Sequence, residues 1–432
     1  MLKYLAQIWH SKDLRNKILF TLFIVFVFRL MTHITIPGVN LEALKIVFER
    51  NELLGVFSLL TGGSAENFSI VLMGLSPYIN ASIIMQLMTV ISPRLEAISK
   101  EGEEGRRRVN KYTRWLTLPL AFLQSFGMIR LINASSPIPI IENLGDPMVI
   151  LPIMLTISAG TVILMWLGEL ISEKGIGNGI SIMIFASIIA GVPTVLASTL
   201  ALAEEDPERL IPLVMTLLLV VFFTLIVVLV TEGQRRIPIT YAGHTKNPKG
   251  EKAHIPIRVN QAGMIPIIFA VSMVTFPSVM GQFLVNAQSE WLQSIGNFFI
   301  NEFNSQSALY LIFYFLLIIA FTYFYVSVTF NPETVAENIQ KRGGFIPGIR
   351  PGKQTAEYLG VVSNRLNLWG GVMIAGIAIA PILIQQLFQS SATGSIPIIV
   401  SGASLIIIVG VVLDLIRQIN AQLISHHYER FS

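Results

Sequence analysis

The sequence of 432 residues contains no cysteine, which excludes disulfide bonds and thiolate metal sites. Charged residues are scarce as well, at 13% of the chain, whereas 53% of the residues are hydrophobic. The mean hydropathy is +0.66. Soluble globular domains have far more charge and less apolar surface. The composition therefore predicts a protein that is solvated mainly by lipid.

Enzyme motifs are also missing from the sequence. It has no H-E-x-x-H zinc motif, no G-x-S-x-G nucleophile motif and no G-x-x-x-x-G-K-[ST] nucleotide motif, and its six histidines are dispersed. We therefore expect a protein that is not an enzyme, with no catalytic residue, no metal and no cofactor. Any energy for its work must come from outside the chain.

Ten long apolar runs dominate the sequence, and each can cross a hydrocarbon core of about 30 Å as a helix. The runs are 18–36, 70–91, 115–132, 149–167, 180–200, 210–230, 263–284, 308–328, 368–387 and 396–415. The first run lacks a small-residue cleavage site, so we expect it to remain as a transmembrane helix.

Basic residues are concentrated in alternate loops. Of the thirty Lys and Arg residues, twenty-five lie in the segments that begin at residues 1, 92, 168, 231, 329 and 416. Lys and Arg are enriched in the cytoplasmic loops of membrane proteins. The pattern therefore predicts a multi-pass protein with both termini in the cytoplasm.

The apolar runs carry little charge, and only Arg29 lies far inside one of them. A charge in a span is costly and is tolerated mainly for binding work. We interpret Arg29 as structural, either capping carbonyl groups or reaching outward to water. A secondary transporter of small solutes is an alternative class, but it predicts charged or polar coordination sites at mid-membrane, which this sequence does not show.

The segment 53–68, LLGVFSLLTGGSAENF, lies between the first two runs on the predicted external side. Its apolar part is too short to cross the membrane. It is either a re-entrant, plug-like piece folded into the protein or an amphipathic helix on the outer leaflet. Both interpretations remain open from the residues alone.

The two longest predicted cytoplasmic loops, 231–261 and 329–367, are rich in Gly, Pro and mixed charge. Loops of this length usually have a function or are disordered. In the second loop, the turn-forming run GGFIPGIRPG flanks Arg350. This turn either presents Arg350 to an acidic or phosphate-bearing partner or is simply solvated.

Several stretches closely resemble the SecY family, the central subunit of the bacterial protein-conducting channel. The stretches are MGLSPYINASIIMQL at 73–87, KEGEEGRR at 100–107, EKGIGNGIS at 173–181, QRRIP at 234–238, the Asn331-Pro332 pair and PGIRPG at 347–352. Together with the plug-like segment they span nearly the whole chain.

The resemblance implies an all-α polytopic membrane protein with ten transmembrane helices. These form two inverted five-helix halves around a central pore, with a re-entrant plug near 53–68. The halves would be 1–200 and 210–415, joined by an external hinge loop at 201–209 and followed by a cytoplasmic tail at 416–432. Inverted repeats around a central pathway are a known membrane architecture.

The resemblance also implies roles for individual residues. The aliphatic pore ring would consist of Ile79, Ile83, Ile184, Ile188, Ile268 and Ile407. The plug would include Leu54, Phe57, Leu60, Gly62 and Gly63. A lateral gate would use Gln86, Ser272 and Thr275, and the residues that dock a ribosome or motor would be Arg235, Arg236, Arg258 and Arg350.

The function implied is a passive channel. It would translocate unfolded secretory polypeptides across the bacterial cytoplasmic membrane and release transmembrane segments laterally into the bilayer. The implied partners are the SecE and SecG subunits, the SecA motor ATPase, the ribosome through ribosomal RNA, signal sequences, nascent polypeptides and membrane lipids. An intramembrane enzyme is a third class, but the sequence offers it no nucleophile, metal site or acid/base pair.

Overall fold

The computed structural model describes residues 11–50, 62–134, 136, 139–205, 210–241, 254–285, 289–304, 307–389 and 401–429. Within them the protein is mostly helical. The first seven helices are α1 (Lys12–Thr32), α2 (Leu41–Arg50), α3 (Ser76–Ile91), α4 (Pro93–Ser99), α5 (Glu103–Ala134), α6 (Pro147–Lys174) and α7 (Gly179–Glu205). The others are α8 (Leu210–Glu232), α9 (Ile265–Val285), α10 (Glu290–Glu302), α11 (Ala308–Thr329), α12 (Pro332–Lys341), α13 (Lys353–Gln389) and α14 (Gly402–Glu429).

Four short strands lie between these helices. They are β1 (Gln234–Pro238), β2 (Thr240–Tyr241), β3 (His254–Arg258) and β4 (Gly344–Phe345). β1 pairs with β3 and β2 pairs with β4, both antiparallel. All four strands belong to the two segments that the sequence analysis treats as long loops, so those loops are folded where the structure describes them.

Each of the ten apolar runs lies largely on a helix, because a backbone in lipid must satisfy its own polar groups. In the described residues, six helices are long and apolar enough to cross a membrane, or seven if the pair α3 and α4, bent by 105°, is one span. Shorter apolar helices cover Gly179–Pro193 and Ile265–Ser278. The structure therefore describes a multi-pass helical membrane protein, and the count of ten spans stays a prediction.

The second apolar run is helical over less of its length than its hydropathy suggests. Residues 70–75 form turns, and α3 begins only at Ser76, with Pro77 in its first turn. The amide of Ile70 donates to the carbonyl oxygen of Ile34 at 3.0 Å. The amides of Leu72 and Gly74 donate to the carbonyl oxygens three residues earlier. One long-range bond and local turn bonds thus replace helical hydrogen bonds at the start of this run.

Two helices begin at asparagine side chains that belong to the stretches resembling the SecY family. The Asn178 side-chain oxygen accepts from the amides of Ile180 and Ser181 at the first turn of α7. Asn331 does the same for Glu333 and Thr334 at α12, where Pro332 occupies the first helical position. Asn is a preferred N-cap residue and Pro is favoured directly after it.

The chain forms two compact units. Unit 1 comprises Met1–Leu210, Thr275–Ser305 and Gly410–Ser432, and unit 2 comprises Ile211–Val274 and Gln306–Val409. This division differs from the implied halves 1–200 and 210–415, which stay a prediction. The core of unit 1 includes Ile36, Leu44, Phe68, Leu72, Ile129, Ile132, Ile140 and Ile157. A core in unit 2 includes Ile237, Ile239, Ile257, Ile339, Ile346, Leu359 and Val362.

A glycine in α6 tests the packing of unit 1. A Cβ atom on Gly160 would overlap the carbonyl oxygen of Ile70, whereas a Cβ on Gly376 in α13 would meet nothing within 4 Å. We expect Gly160→Ala to lower the free energy of unfolding by about 1–3 kcal/mol, as overpacking does. Thermal unfolding of the purified protein in detergent measures the change.

The matched control is Gly376→Ala, which makes the same substitution inside a helix. Alanine favours a helix over glycine by about 1 kcal/mol, so this variant should unfold at or slightly above the parent temperature. Equal stability of the two variants would contradict the close packing at Gly160.

Candidate functional site

The described part of the plug-like stretch begins at Gly62. Of the plug residues implied by the resemblance, Leu54, Phe57 and Leu60 lie outside the described residues. Gly62 and Gly63 have φ angles of +69° and +79°, which only glycine adopts without strain. The glycine pair therefore forms a sharp turn at the start of the segment 62–70.

Arg29 holds this turn. Its Nη1 donates to the carbonyl oxygen of Gly62 at 2.6 Å. Of the two structural interpretations of Arg29, this hydrogen bond supports the capping of a carbonyl group. The hydroxyl of Thr32 donates to the Arg29 carbonyl oxygen at 2.7 Å, and Asn67 Nδ2 donates to that of Thr32 at 3.3 Å. The turn and the end of α1 are thus connected by consecutive hydrogen bonds.

Further along, the segment 62–70 pairs with the residues that follow α1. The Ile36 amide donates to the carbonyl oxygen of Phe68 at 3.1 Å, and Thr35 and Ser69 form an isolated antiparallel bridge. The ring of Phe68 is fully buried in the unit 1 core. Backbone pairing and core burial both fix this end of the segment.

On its other side, Gly62 lies against α7. A Cβ atom on Gly62 would be 2.9 Å from Ser187 Cα, too close for any side chain. Ser187 directly precedes Ile188, one of the isoleucines assigned to the pore ring. The described start of the segment 62–70 therefore contacts the helix that carries Ile184 and Ile188.

The six ring candidates lie on the four helices α3, α7, α9 and α14. Ile83 on α3 and Ile184 and Ile188 on α7 are buried, whereas Ile79 is half-buried. Each helix carries its pair at a spacing of four residues, which places both members on one face. In unit 2, Ile268 on α9 is half-buried and Ile407 on α14 is buried. The closure of these six residues into one ring stays a prediction.

The gate candidates are polar side chains on apolar helices. Gln86 Nε2 donates to Ser82 Oγ at 3.4 Å, one turn earlier on α3. Ser272 and Thr275 lie on α9, and both side chains are half-buried. Their grouping into a gate is likewise untested and stays a prediction.

Three of the docking candidates lie on a two-stranded sheet in unit 2. In the register of β1 and β3, Gln234 opposes Arg258 and Arg236 opposes Pro256. Residues two apart share a face of a strand, so Arg236 and Arg258 are diagonal neighbours on one face. Arg235 is on the other face, and all three side chains are exposed.

The fourth candidate, Arg350, is exposed in a tight turn of the second loop. Gly348 and Gly352 have φ angles of +83° and +92°, and the hydroxyl of Thr355 donates to the Arg350 carbonyl oxygen at 2.9 Å. Pairing of β2 with β4 joins the second loop to the first. We call β1–β4, α12 and the turn 347–352 the basic platform.

An apolar core lies within the basic platform. Ile237 and Ile257 from the sheet, Ile339 from α12 and Ile346 beside β4 are all buried in one cluster. Exposed arginines are therefore held by a packed framework. Sequence patterns do not reveal this framework, because its strands are short and β2 pairs with β4 about a hundred residues later.

The match to a protein-family model decides the family. The SecY family model matches residues 69–416, which carry α3, α7, the basic platform and all the ring and gate candidates. The chain belongs to the SecY family. The family resemblance inferred from the sequence is thus confirmed, and the SecY family consists of channel subunits and not of enzymes.

Curated relatives and solved structures agree with this assignment. The protein translocase subunit SecY of Streptomyces scabiei is 40% identical, with 100% of each chain covered. A SecY structure that concerns how the plug domain stabilises the closed translocation channel has a TM-score of 0.68, and canine Sec61 in a ribosome-channel complex has 0.65. Both are 18% identical, and each comparison covers 95% of this chain and 93% of the other. At this identity they establish the SecY fold alone.

Substitutions at the two adjacent glycines separate backbone strain from the contact with α7. Alanine at either position must adopt a left-handed conformation, which costs about 1–2 kcal/mol. Only Gly62→Ala also forces a Cβ atom against Ser187, because a Cβ on Gly63 would meet nothing within 4 Å. We expect Gly62→Ala to lower the thermal unfolding temperature in detergent more than Gly63→Ala does. Equal losses would mean that Gly62 does not pack against α7.

Proposed function

We propose that this chain is the channel subunit of a bacterial protein translocase. Unfolded secretory polypeptides would cross the cytoplasmic membrane through it, and transmembrane segments would leave it sideways into the bilayer. The observation that carries the proposal is the SecY family match over residues 69–416, together with full-length similarity to translocase subunits. The sequence has no nucleotide motif, so a ribosome, a cytoplasmic ATPase or the membrane potential would supply the energy.

The pore would close at a ring of Ile79, Ile83, Ile184, Ile188, Ile268 and Ile407. Aliphatic side chains offer neither charge nor hydrogen bonds, so a translocating chain of any sequence can pass without being bound. A narrow apolar constriction can also exclude water when it is empty. The physical properties of isoleucine thus suit a seal that must be tight at rest and indifferent to its cargo.

The plug would comprise residues near 53–68, including Leu54, Phe57 and Leu60, and would move aside when the channel opens. The hydrogen bond from Arg29 to Gly62 and the contact of Gly62 with α7 support a fixed end at the glycine pair. The moving part would then be the residues before Gly62, with Gly62 and Gly63 as the hinge. This hydrogen bond to the Gly62 carbonyl oxygen would also account for the charged guanidinium of Arg29 in an apolar run.

Ten spans in two inverted halves, 1–200 and 210–415, would surround the pore, with the loop 201–209 as their hinge. The lateral gate would include Gln86, Ser272 and Thr275. Hydrogen bonds between side chains in a bilayer contribute about 1 kcal/mol each. Such weak bonds can hold a gate closed and still let a hydrophobic signal sequence open it.

The basic platform would dock the ribosome or the SecA motor in the cytoplasm, where both chain termini would also lie. Support comes from the exposure of Arg235, Arg236, Arg258 and Arg350 on a packed framework. Arginine forks match phosphate geometry and bind ribosomal RNA without reading its sequence. The SecE and SecG subunits would complete the channel.

A disulfide crosslink tests the channel function. Because the chain has no cysteine, Ile188→Cys introduces its single thiol. We expect a stalled secretory polypeptide that carries its own cysteine to form a disulfide with this position in membranes. The control is Ile189→Cys, since Ile189 is 42% exposed and Ile188 only 3%. An engaged polypeptide that links to neither position, or equally to both, would contradict the assignment of Ile188 to the pathway.

Ribosome binding tests the platform separately. Arg236→Ala and Arg258→Ala should each weaken binding and reduce the slope of log affinity against log salt by about one, if each arginine neutralises one phosphate. Cosedimentation of ribosomes with channel proteoliposomes over a series of salt concentrations measures this slope.

Arg130→Ala serves as the charge-matched control for both platform variants. Arg130 lies over the ring of Phe126 on α5, outside the platform. The substitution removes the same charge from the protein, and we expect no change in the slope of log affinity against log salt. A loss equal to that of the platform variants would show that net charge alone governs binding.

A further inference from the structure

The short helix α10 has three different faces. At about 100° per residue, Trp291 and Phe298 lie on one stripe, Gly296 lies about 150° away from it, and Asn297 lies on a third stripe. Trp291 is 70% exposed and Phe298 is 51% exposed, whereas Gly296 is buried. One stripe therefore carries exposed aromatic rings and ends at the half-buried Glu302 in the last turn, one faces protein and one is polar.

The buried stripe of α10 packs directly on α9 within unit 1. A Cβ atom on Gly296 would lie 2.7 Å from the amide nitrogen of Val285 and 2.8 Å from the carbonyl oxygen of Gly281. A Cβ on Gly281 would in turn be 2.9 Å from Phe299 Cβ. Small residues at both positions let the two backbones approach closely. The orientation of α10 about its own axis is thus fixed by this contact.

The connections to its neighbours are short. It begins five residues after α9 ends, and α11 begins six residues after α10 ends. Such linkers span at most about 20 Å when fully extended. With 13 residues, α10 is too short to cross a hydrocarbon core of about 30 Å. Both ends of α10 therefore stay near the ends of apolar helices.

We propose that α10 is a membrane-surface anchor, whose Trp291 and Phe298 side chains insert into the phospholipid interface at the C-terminal end of α9. Aromatic rings, Trp above all, are favoured at the level of the lipid headgroups. An amphipathic helix in the plane of the interface buries its apolar face in lipid and leaves its polar face in water. The exposed aromatic stripe, the docked stripe and the stripe of Asn297 match this arrangement.

Continuity of the apolar surface favours lipid as the occupant. On α9, Phe276 and Met280 are exposed large apolar residues just before Gly281, the point where α10 docks. The helix that carries the exposed aromatic stripe thus docks directly after the exposed apolar residues of α9. Because α10 is locked to α9 by glycine contacts, the anchor would hold the end of α9 at a fixed depth in the membrane.

Spin labelling of the cysteine-free chain tests the anchor. The variants Trp291→Cys, Phe298→Cys and, as control on the polar stripe, Asn297→Cys are labelled with a nitroxide in the complete channel complex. The complex is reconstituted in phosphatidylethanolamine and phosphatidylglycerol vesicles. Collisions with oxygen, which concentrates in lipid, are compared with collisions with a water-soluble nickel chelate. We expect the logarithm of the oxygen-to-nickel ratio to be positive at 291 and 298 and negative at 297.

Two outcomes would overturn the anchor. A negative logarithm at all three positions would place the aromatic stripe in water, and protection from both reagents at 291 and 298 would mean that another protein covers it. A second measurement needs no change to α10. With Trp9, Trp115, Trp166 and Trp369 replaced by Phe, the fluorescence of Trp291 should be quenched by phospholipids brominated near the headgroup. Absence of quenching would also refute the proposal.

Discussion

The need to satisfy every backbone polar group within lipid governs this protein. Long helices meet it over most of the described residues, and each of the ten apolar runs accordingly lies largely on a helix. Where the backbone close to the spans is not helical, groups from other segments supply its hydrogen-bond partners. The Gly62 carbonyl oxygen accepts a hydrogen bond from the Arg29 guanidinium, and the Phe68 carbonyl oxygen accepts one from the Ile36 amide. The irregular segment 62–70 exists because these partners are present.

Glycine has a consistent role at the contacts that matter most. Gly62 against Ser187, Gly160 against Ile70, and Gly281 against Gly296 all bring backbones closer than any side chain would allow. With lipid outside and no hydrophobic drive between helices, close packing of this kind is a main source of association. The same contacts fix where the segment 62–70 ends and how α10 is oriented.

The basic platform depends on a different source of stability. Its short strands and α12 enclose a cluster of isoleucines, and this apolar core continues onto Leu359 and Val362 of α13 in unit 2. Exposed arginines on such a framework are held at fixed spacing, which a disordered loop cannot provide. A large polyanionic partner can then meet several charges at once with little loss of conformational freedom on binding.

The sequence by itself determined the membrane class, the approximate positions of the long apolar helices and the family, because hydropathy, charge placement and motifs are local properties of the chain. It also located Arg350 in a run of turn-forming residues. Only the tertiary structure decided that Arg29 bonds Gly62, that β2 joins β4 across about a hundred residues, and that Ile70 bonds Ile34 after α1 while residues 70–75 form turns rather than extend α3. These contacts join residues far apart in the chain, and the physical reason is that a carbonyl oxygen accepts from, and an amide donates to, whichever partner the packing brings within reach.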